Sequence, residues 1–430
     1  MDGGLEDTIV ATSRYSRVLR IVPLLIAVWC YGTWAANVEI LDQELNPNGQ
    51  GYTVLRVWGS YYEMGYAHAN VLGDYIAEAV NQTKAKLGGN YAATRSLIAS
   101  SVWLPVENEA ELDGIVASLG ITHPAASIDV LDLKVINTLG DWAYACRSHT
   151  CWGRYVASPI KTLSTRRLDF GTAVPIVNHH VLIAYDPNDG SPEWLNLAWP
   201  GIVTVAQGIN EYGTLVSLHD YKSFPADLSL GGMSRLVAAR YAITFVSSDD
   251  VSAHLEQVFA ELQKYEIMTG TFVNYYAPLG YGGVMNCSPH DAGSDFYRLR
   301  TPQETWHHGE AMVTTNEDTD GTYTPSDEDI GVDAYYDDEF PKTHESHWHL
   351  VDPVGGNHGL SRLSVAYRGP RDMTVWADGR LDGIGRTRRL EYEWSELFDS
   401  PAKYSGGSGT ADDPYQIGTA EDLMLLGETP

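Results

Sequence analysis

The stretch WAYACRSHTCWGRYVASPIKTLSTRRLDF, residues 142–170, carries two of the chain's four cysteines, Cys146 and Cys151, ahead of a compact charged cluster of Arg166, Arg167 and Asp169. The thiolate, not the thiol, attacks a carbonyl carbon, so a cysteine that does chemistry needs a base or a cation beside it. The plain alternative for either residue is a small buried apolar side chain or half of a disulfide.

Outward from this stretch, the whole chain bounds the answer. Its 430 residues, 44% hydrophobic, suffice for a sizeable core. The first 35 residues read as an export leader: Arg14, Arg17 and Arg20 precede the 11-residue apolar run IVPLLIAVWCY, and small residues close it at Ala35. That run is too short to span a bilayer, and no later stretch is long and apolar enough. The expectation is a secreted or periplasmic protein without a stable membrane span once the leader is removed; an uncleaved anchor is the alternative. The formal charge of −28 survives leader removal, because Asp2, Glu6 and Asp7 leave with the three arginines. Such a surplus opposes nucleic acid and anionic lipid, which need basic patches. Loss of Cys30 leaves Cys146, Cys151 and Cys287, an odd number in an exported chain. A Cys151–Cys287 disulfide would leave Cys146 free.

After a polar linker, YTVLRVWGS (52–60) alternates like a strand, and YYEMGYAHANVLGDYIAEAVNQTKAKL (61–87) has helical spacing. More helix is expected as far as DVLDLKVINTLGDW. Beyond Cys146, VPIVNHHVLIAYDP, EWLNLAWPGIVTVAQGI and GTLVSLHDY are strand-like runs broken by Asp, Gly and Pro turns. Helical periodicity returns over 234–265, with Ser248 or Asp249 as the expected N-cap of its second half. GGVMNCS, DFYRLR and EAMVTTN resume the strands. Blocks of strands and helices, without regular βαβ alternation, point to an α+β class. The expected organisation is a leader (1–35), a helical N-terminal segment (36–145), a catalytic domain (146–400), and a flexible linker opening a C-terminal repeat (401–430). That last stretch is similar to a single unit of right-handed β-helix repeats, which need several units to be stable.

The run CRSHTCWG followed by RRLDF resembles the nucleophile strand of N-terminal-nucleophile hydrolases of the isopenicillin N acyltransferase, choloylglycine hydrolase and acid ceramidase group. Members show a Cys, small residues, a Trp-Gly pair and then an Arg-Asn-x-Asp cluster. Trp152 and Gly153 stand six and seven residues after Cys146, which favours Cys146; the 18-residue distance from Cys151 to Asp169 suits members lacking the pair. Arg166 and Asp169 match the family's Arg and Asp, while Arg167 replaces its Asn. Period-two alternation places Arg167, not Arg166, on the face of Asp169, so which arginine points inward stays open. WPGIVTVAQGINEYGTLVSLHD (199–220) resembles the family's Trp-Pro-Gly and Gly-x-Asn-Glu-x-Gly hairpin, which assigns Asn210; a further oxyanion-binding Asn falls on His219 or Asp220. EAMVTTN matches the strand whose terminal Asn donates to the oxyanion, here Asn316, and SRLSVAYRG matches the stretch carrying a last active-site arginine, here Arg362. Near the front, Gly65, Tyr66 and His68 follow the order of the acyltransferase propeptide.

The resemblance implies a four-layer αββα sandwich with a propeptide-like helical segment, and self-cleavage of the Ala145–Cys146 bond into two chains that stay associated. It implies no cofactor and no metal. The freed α-amine of Cys146, titrating near 8, would serve as the base for its own thiol. The substrate would be a linear N-acyl amide, cleaved or transferred through a thioester. Two other readings compete. HESHWH (344–349) offers His344, His347 and His349 to a zinc hydrolase, although the His-Glu-x-x-His spacing is missing. A degenerate hydrolase domain could also serve as a secreted scaffold. The acidic run NEDTDGTYTPSD (316–327) partly fits a calcium loop, against the plainer reading of a solvated loop.

Overall fold

The computed structural model describes residues 37–141, 145–169, 178–220, 231–246, 250–287, 297–305, 310–315, 334–337, 341–351, 359–381 and 383–399. The expected leader, Asn316, the acidic run 316–327 and the C-terminal repeat lie outside these residues. Val38–Ala402 form one compact unit. No described helix is long and apolar enough to cross a membrane.

The strands, in chain order, are β1 (Val38–Leu45), β2 (Gly51–Gly59), β3 (Val102–Trp103), β4 (Ala145–Trp152), β5 (Thr162–Asp169), β6 (His179–Pro187), β7 (Trp194–Ala198), β8 (Gln207–Asn210), β9 (Leu215–Asp220), β10 (Gly232–Met233), β11 (Thr271–Tyr276), β12 (Gly283–Cys287), β13 (Arg298–Arg300), β14 (Ala311–Thr315), β15 (Ser361–Gly369), β16 (Asp372–Leu381), β17 (Gly385–Arg386) and β18 (Leu390–Glu393). The helices are α1 (Tyr61–Leu87), α2 (Tyr91–Ser101), α3 (Val106–Thr122), α4 (Val130–Asn137), α5 (Arg235–Thr244), α6 (Val251–Leu262), α7 (His344–His349) and α8 (Trp394–Phe398).

Nine strands form one sheet in the order β1-β2-β6-β7-β8-β9-β11-β12-β13. A second sheet runs β14-β4-β5-β15-β16-β17, with β18 also on β16. Pairing is antiparallel apart from β2 with β6 in the large sheet and the short β3–β10 pair. This is a mixed α+β architecture, as the block pattern of the sequence implies.

The inner strands of the nine-stranded sheet are covered on both faces, which is why β2 and β6 read as nearly continuous apolar runs. Val54, Leu182 and Ala184 face the second sheet and pack with its Leu363, Val365 and Val375. Leu55, Val57, Val181, Ile183 and Tyr185 turn the other way, into a core shared with α1, α3, α4, α5 and α6. On the far side of the second sheet Cys151, Leu163, Ala366 and Tyr336 make a smaller cluster.

Local chemistry sets the helix ends. Ser60 caps α1 by accepting from the Glu63 N–H while Glu63 reaches back to the Ser60 N–H, and Gly88, at φ 51, stops it. The second half of the 234–265 segment is capped one residue later than expected. Asp250, rather than Ser248 or Asp249, accepts from Ser252 N–H. α1 and α3 cross at two glycines: a Cβ on Gly65 would lie 2.0 Å from the Glu111 carbonyl oxygen, and one on Gly114 2.0 Å from that of Tyr62. The motif residue His68 is buried in the same helix and accepts from the Gly201 N–H at 3.2 Å, tying α1 to the turn after Trp199 and Pro200.

Candidate active site

Strand geometry separates the two candidate thiols. Successive side chains on β4 alternate faces. Cys146, Ser148 and Thr150 point toward the nine-stranded sheet, where Ser148 Oγ lies 3.0 Å from Ser217 Oγ and 2.7 Å from His219 Nε2 of β9. Cys151 points outward among Tyr155, Leu163 and Tyr336, where burial pushes its thiol far up. None of the three described cysteines is in a disulfide, so the Cys151–Cys287 pairing that the odd count allowed is not made. The physical reason is placement in different cores: Cys287 ends β12 on the helical side of the large sheet, with its thiol pushed up by burial to about 12.

Arg166 is the inward arginine. Across the β4–β5 ladder it pairs with Ser148, and its Nη2 donates to Cys146 Sγ at 3.0 Å and to the Leu218 carbonyl at 3.0 Å. Its Nη1 donates to Gln207 Oε1 at 3.0 Å, and Gln207 Nε2 in turn donates to Ser361 Oγ at 2.6 Å. Arg167 takes the opposite face and binds the Asp169 carboxylate at 2.9 Å, as the alternation requires. Burial is the largest influence on the Cys146 thiol and raises its pKa. The Arg166 charge, the Asp169 backbone N–H and Arg235 pull the other way, while the Asp169 carboxylate adds to the rise. The thiol is therefore held neutral beside a cation that would stabilise it once ionised. His219 is fully buried, and desolvation aided by Arg166 holds it well below its usual pKa; it is a neutral partner for Ser148.

Other sequence candidates occupy different places. Asn210 is committed to the β8–β9 turn. Its Oδ1 accepts from the Tyr212 and Thr214 N–H groups at 3.2 and 3.1 Å, and its Nδ2 donates to the Ile243 carbonyl at 3.2 Å. Arg362 belongs to a row across the outer face of the second sheet, Arg147, Arg167, Arg362 and Asp378 being direct register partners. Its guanidinium binds Asp378 at 2.5 Å and lies 4.2 Å from the Trp348 ring centre. The histidines of HESHWH hydrogen-bond within the fold: His347 with Thr165 at 2.8 Å and Tyr336 at 3.3 Å, His344 with Ser364 at 2.9 Å, and the exposed His349 with Glu345 at 2.8 Å. Among the described residues no group of three or more His, Cys, Asp or Glu is placed to hold a metal ion.

Sequence reasoning missed Gln207, Ser361 and a buried brace just upstream of Cys146. Arg235, the first residue of α5, donates to the Gly140 carbonyl through Nε at 3.1 Å and Nη2 at 2.7 Å, and binds Asp220 at 2.7 Å. Asp141 accepts from the Arg235 N–H at 3.0 Å and Ser234 Oγ at 2.7 Å, so it anchors the chain to the start of α5. The one available signal was two arginines, Arg235 and Arg240, inside the otherwise apolar SRLVAARYAI: a charge in such a run needs a buried partner.

No family model matches the chain, and no curated protein does. Solved structures that match include a Caenorhabditis elegans N-acylethanolamine-hydrolyzing acid amidase ortholog, at 12% identity and a TM-score of 0.31. The match covers 51% of this chain and 92% of that one. At that level the likeness carries no weight for chemistry, and the site itself must carry the functional reading.

Proposed function

We propose that the chain is a secreted cysteine amidase of the N-terminal-nucleophile type, on a four-layer αββα sandwich, that frees Cys146 by self-cleavage and then hydrolyses a linear N-acyl amide or transfers its acyl group. One observation carries the reading: at the start of an interior strand, the thiol of Cys146 receives a guanidinium N–H from the buried Arg166 at 3.0 Å. Support comes from the brace on Gly140 and Asp141, which fixes the chain a few residues before the Ala145–Cys146 bond.

In maturation the Cys146 thiol adds to the Ala145 carbonyl, the C–N bond breaks, and the amine of Cys146 takes up a proton. Water then hydrolyses the thioester, leaving an Ala145 carboxylate and an N-terminal cysteine. In turnover that α-amine removes the thiol proton, the thiolate attacks the substrate carbonyl, and the amine returns the proton to the leaving nitrogen. Water, or an acceptor amine, resolves the thioester. Asn316 is assigned the oxyanion donor role because the residue before it, Thr315, pairs with Arg147, the residue after Cys146.

N-terminal sequencing of purified protein tests maturation. A chain beginning CRSHTCWG is expected from wild type, one beginning CRSHTAWG from Cys151→Ala, and a single uncut chain from Cys146→Ala. Cutting at that bond in Cys146→Ala rules out self-processing. A panel of N-acyl amides tests the chemistry: at least one must be turned over, and alkylation of Cys146 must stop it.

A further inference from the structure

Arg166 meets three acceptors that carry no charge: the Cys146 sulfur, the Leu218 carbonyl and the Gln207 side-chain oxygen, each at 3.0 Å. The arginines on the other face of the sheet differ, since Arg167 binds the Asp169 carboxylate and Arg362 that of Asp378. A guanidinium has only N–H donors, so it fixes the Gln207 oxygen toward Arg166 and leaves the amide N–H for Ser361 Oγ at 2.6 Å. Gln207 and Arg166 are fully buried and Ser361 nearly so. Gln207 stands on β8 of the nine-stranded sheet, while Arg166 and Ser361 stand on the paired strands β5 and β15 of the second. The amide therefore reaches from one sheet to the other and is itself held at both ends.

An amide and a carboxylate of the same length would treat Arg166 differently. A glutamate would accept from it more strongly, but as an ion pair it would offset the charge beside the sulfur and draw the guanidinium toward itself. A methionine would leave the charge and remove the acceptor. We propose, on the reading that Cys146 is the nucleophile, that Gln207 is a positioning residue: its neutral amide orients the Arg166 guanidinium toward the Cys146 sulfur without cancelling its charge.

Gln207→Glu and Gln207→Met test this through the pH midpoint of Cys146 alkylation. Alkylation is read by mass spectrometry on newly translated chain, in the tryptic peptide 135–147 that only uncut protein yields, so every protein is compared before cleavage. Asp169 and Arg235 also act on the thiol, and His219 feels the Arg166 charge; all three are the same in the proteins compared. Gln207→Glu should raise the midpoint by at least about one pH unit, a tenfold loss of thiolate at a given pH. Gln207→Met, which only loosens the guanidinium, should raise it by roughly half a unit. Thermal unfolding reports whether each variant is folded. A hydrogen bond with a merely structural role would give the reverse order, because glutamate keeps the acceptor and methionine does not. A midpoint in Gln207→Glu equal to that of wild type, or a larger rise in Gln207→Met than in Gln207→Glu, would overturn the proposal. So would an unmoved midpoint in Gln207→Met, which carries the test alone if the glutamate variant does not fold. N-terminal sequencing of wild type judges the amidase reading separately: cut wild type with unmoved midpoints in both variants removes the positioning role and nothing else.

Discussion

The contact between Arg166 and Cys146 makes a charge-based prediction. A neighbouring cation favours the thiolate, so removing it should raise the pH at which the thiol becomes reactive. Arg166→Met is expected to move the midpoint of Cys146 alkylation upward by about one pH unit or more, and Arg166→Lys to recover part of it. The readout is alkylation rate against pH, in the Cys151→Ala background so that one thiol is followed near the site. Equal midpoints in all three proteins would mean that the guanidinium does not act on the sulfur. That Cys146 and the Arg166–Asp169 cluster lie on neighbouring strands was legible in the sequence, because spacing is itself a sequence property; which arginine meets the thiol was not, and the Asp169 carboxylate is held by Arg167 on the other face. Gln207, Ser361 and the Ser148–His219 contact were not, since they exist only where one sheet packs on the other. Neither the use of Asn210 in its own turn nor that of Arg362 in the row ending at Asp378 could be read from a motif, because a motif does not say which face a side chain takes.

Among the elements, the crossing of α1 over α3 is the most exacting. Each glycine sits against a backbone carbonyl, which cannot move aside as a flexible side-chain end would. Gly65→Ala should therefore force the helices apart and destabilise the fold by roughly 1–3 kcal/mol or more, despite the better helix propensity of alanine. Chemical denaturation measures it, with Gly120→Ala as control: this residue lies within α3, and nothing lies within 4 Å of the Cβ it would gain. A Gly65→Ala protein as stable as the control would contradict the close crossing. Helices such as α1 were readable because their capping residues and apolar spacing are local. Strand order was not: β2 pairs in parallel with β6, more than a hundred residues away, and no local pattern encodes that partner. The Asp250 cap shows the finer limit, since Ser248, Asp249 and Asp250 are all good capping residues and only the helix start selects among them.

For the whole molecule, buried histidines dominate the response to acid. His68, His179 and His180 are held by burial at about 4, His347 at about 3 and His344 at about 2, and His219 is also well below its usual value. Above pH 6.5 these groups are neutral both folded and unfolded and do not affect stability. As pH falls below 6.5 the unfolded chain takes up protons that the folded chain refuses, and each such histidine lowers stability by about 1.4 kcal/mol per pH unit until its folded pKa is reached. Urea midpoints should therefore drop steeply between pH 6.5 and 5; a flat profile there would show that these rings are solvated. The −28 charge acts separately, through solubility and long-range repulsion, without bearing on which fold forms.

The place of β1 and β2 in the large sheet bears on what cleavage before Cys146 would do to renaturation. β2 supplies the whole hydrogen-bonding edge of β6 through nine paired residues, Gly51↔His179 to Gly59↔Pro187, and α1 covers the core beside it. An uncut chain recovers that edge by an intramolecular search, at a rate independent of dilution. Once cut, the same strand arrives from a separate polypeptide, so recovery after denaturation becomes second order, slows on dilution, and leaves an open strand edge prone to pairing with other chains meanwhile. The mature protein would then be an assembly made once, during its first folding, and poorly remade thereafter.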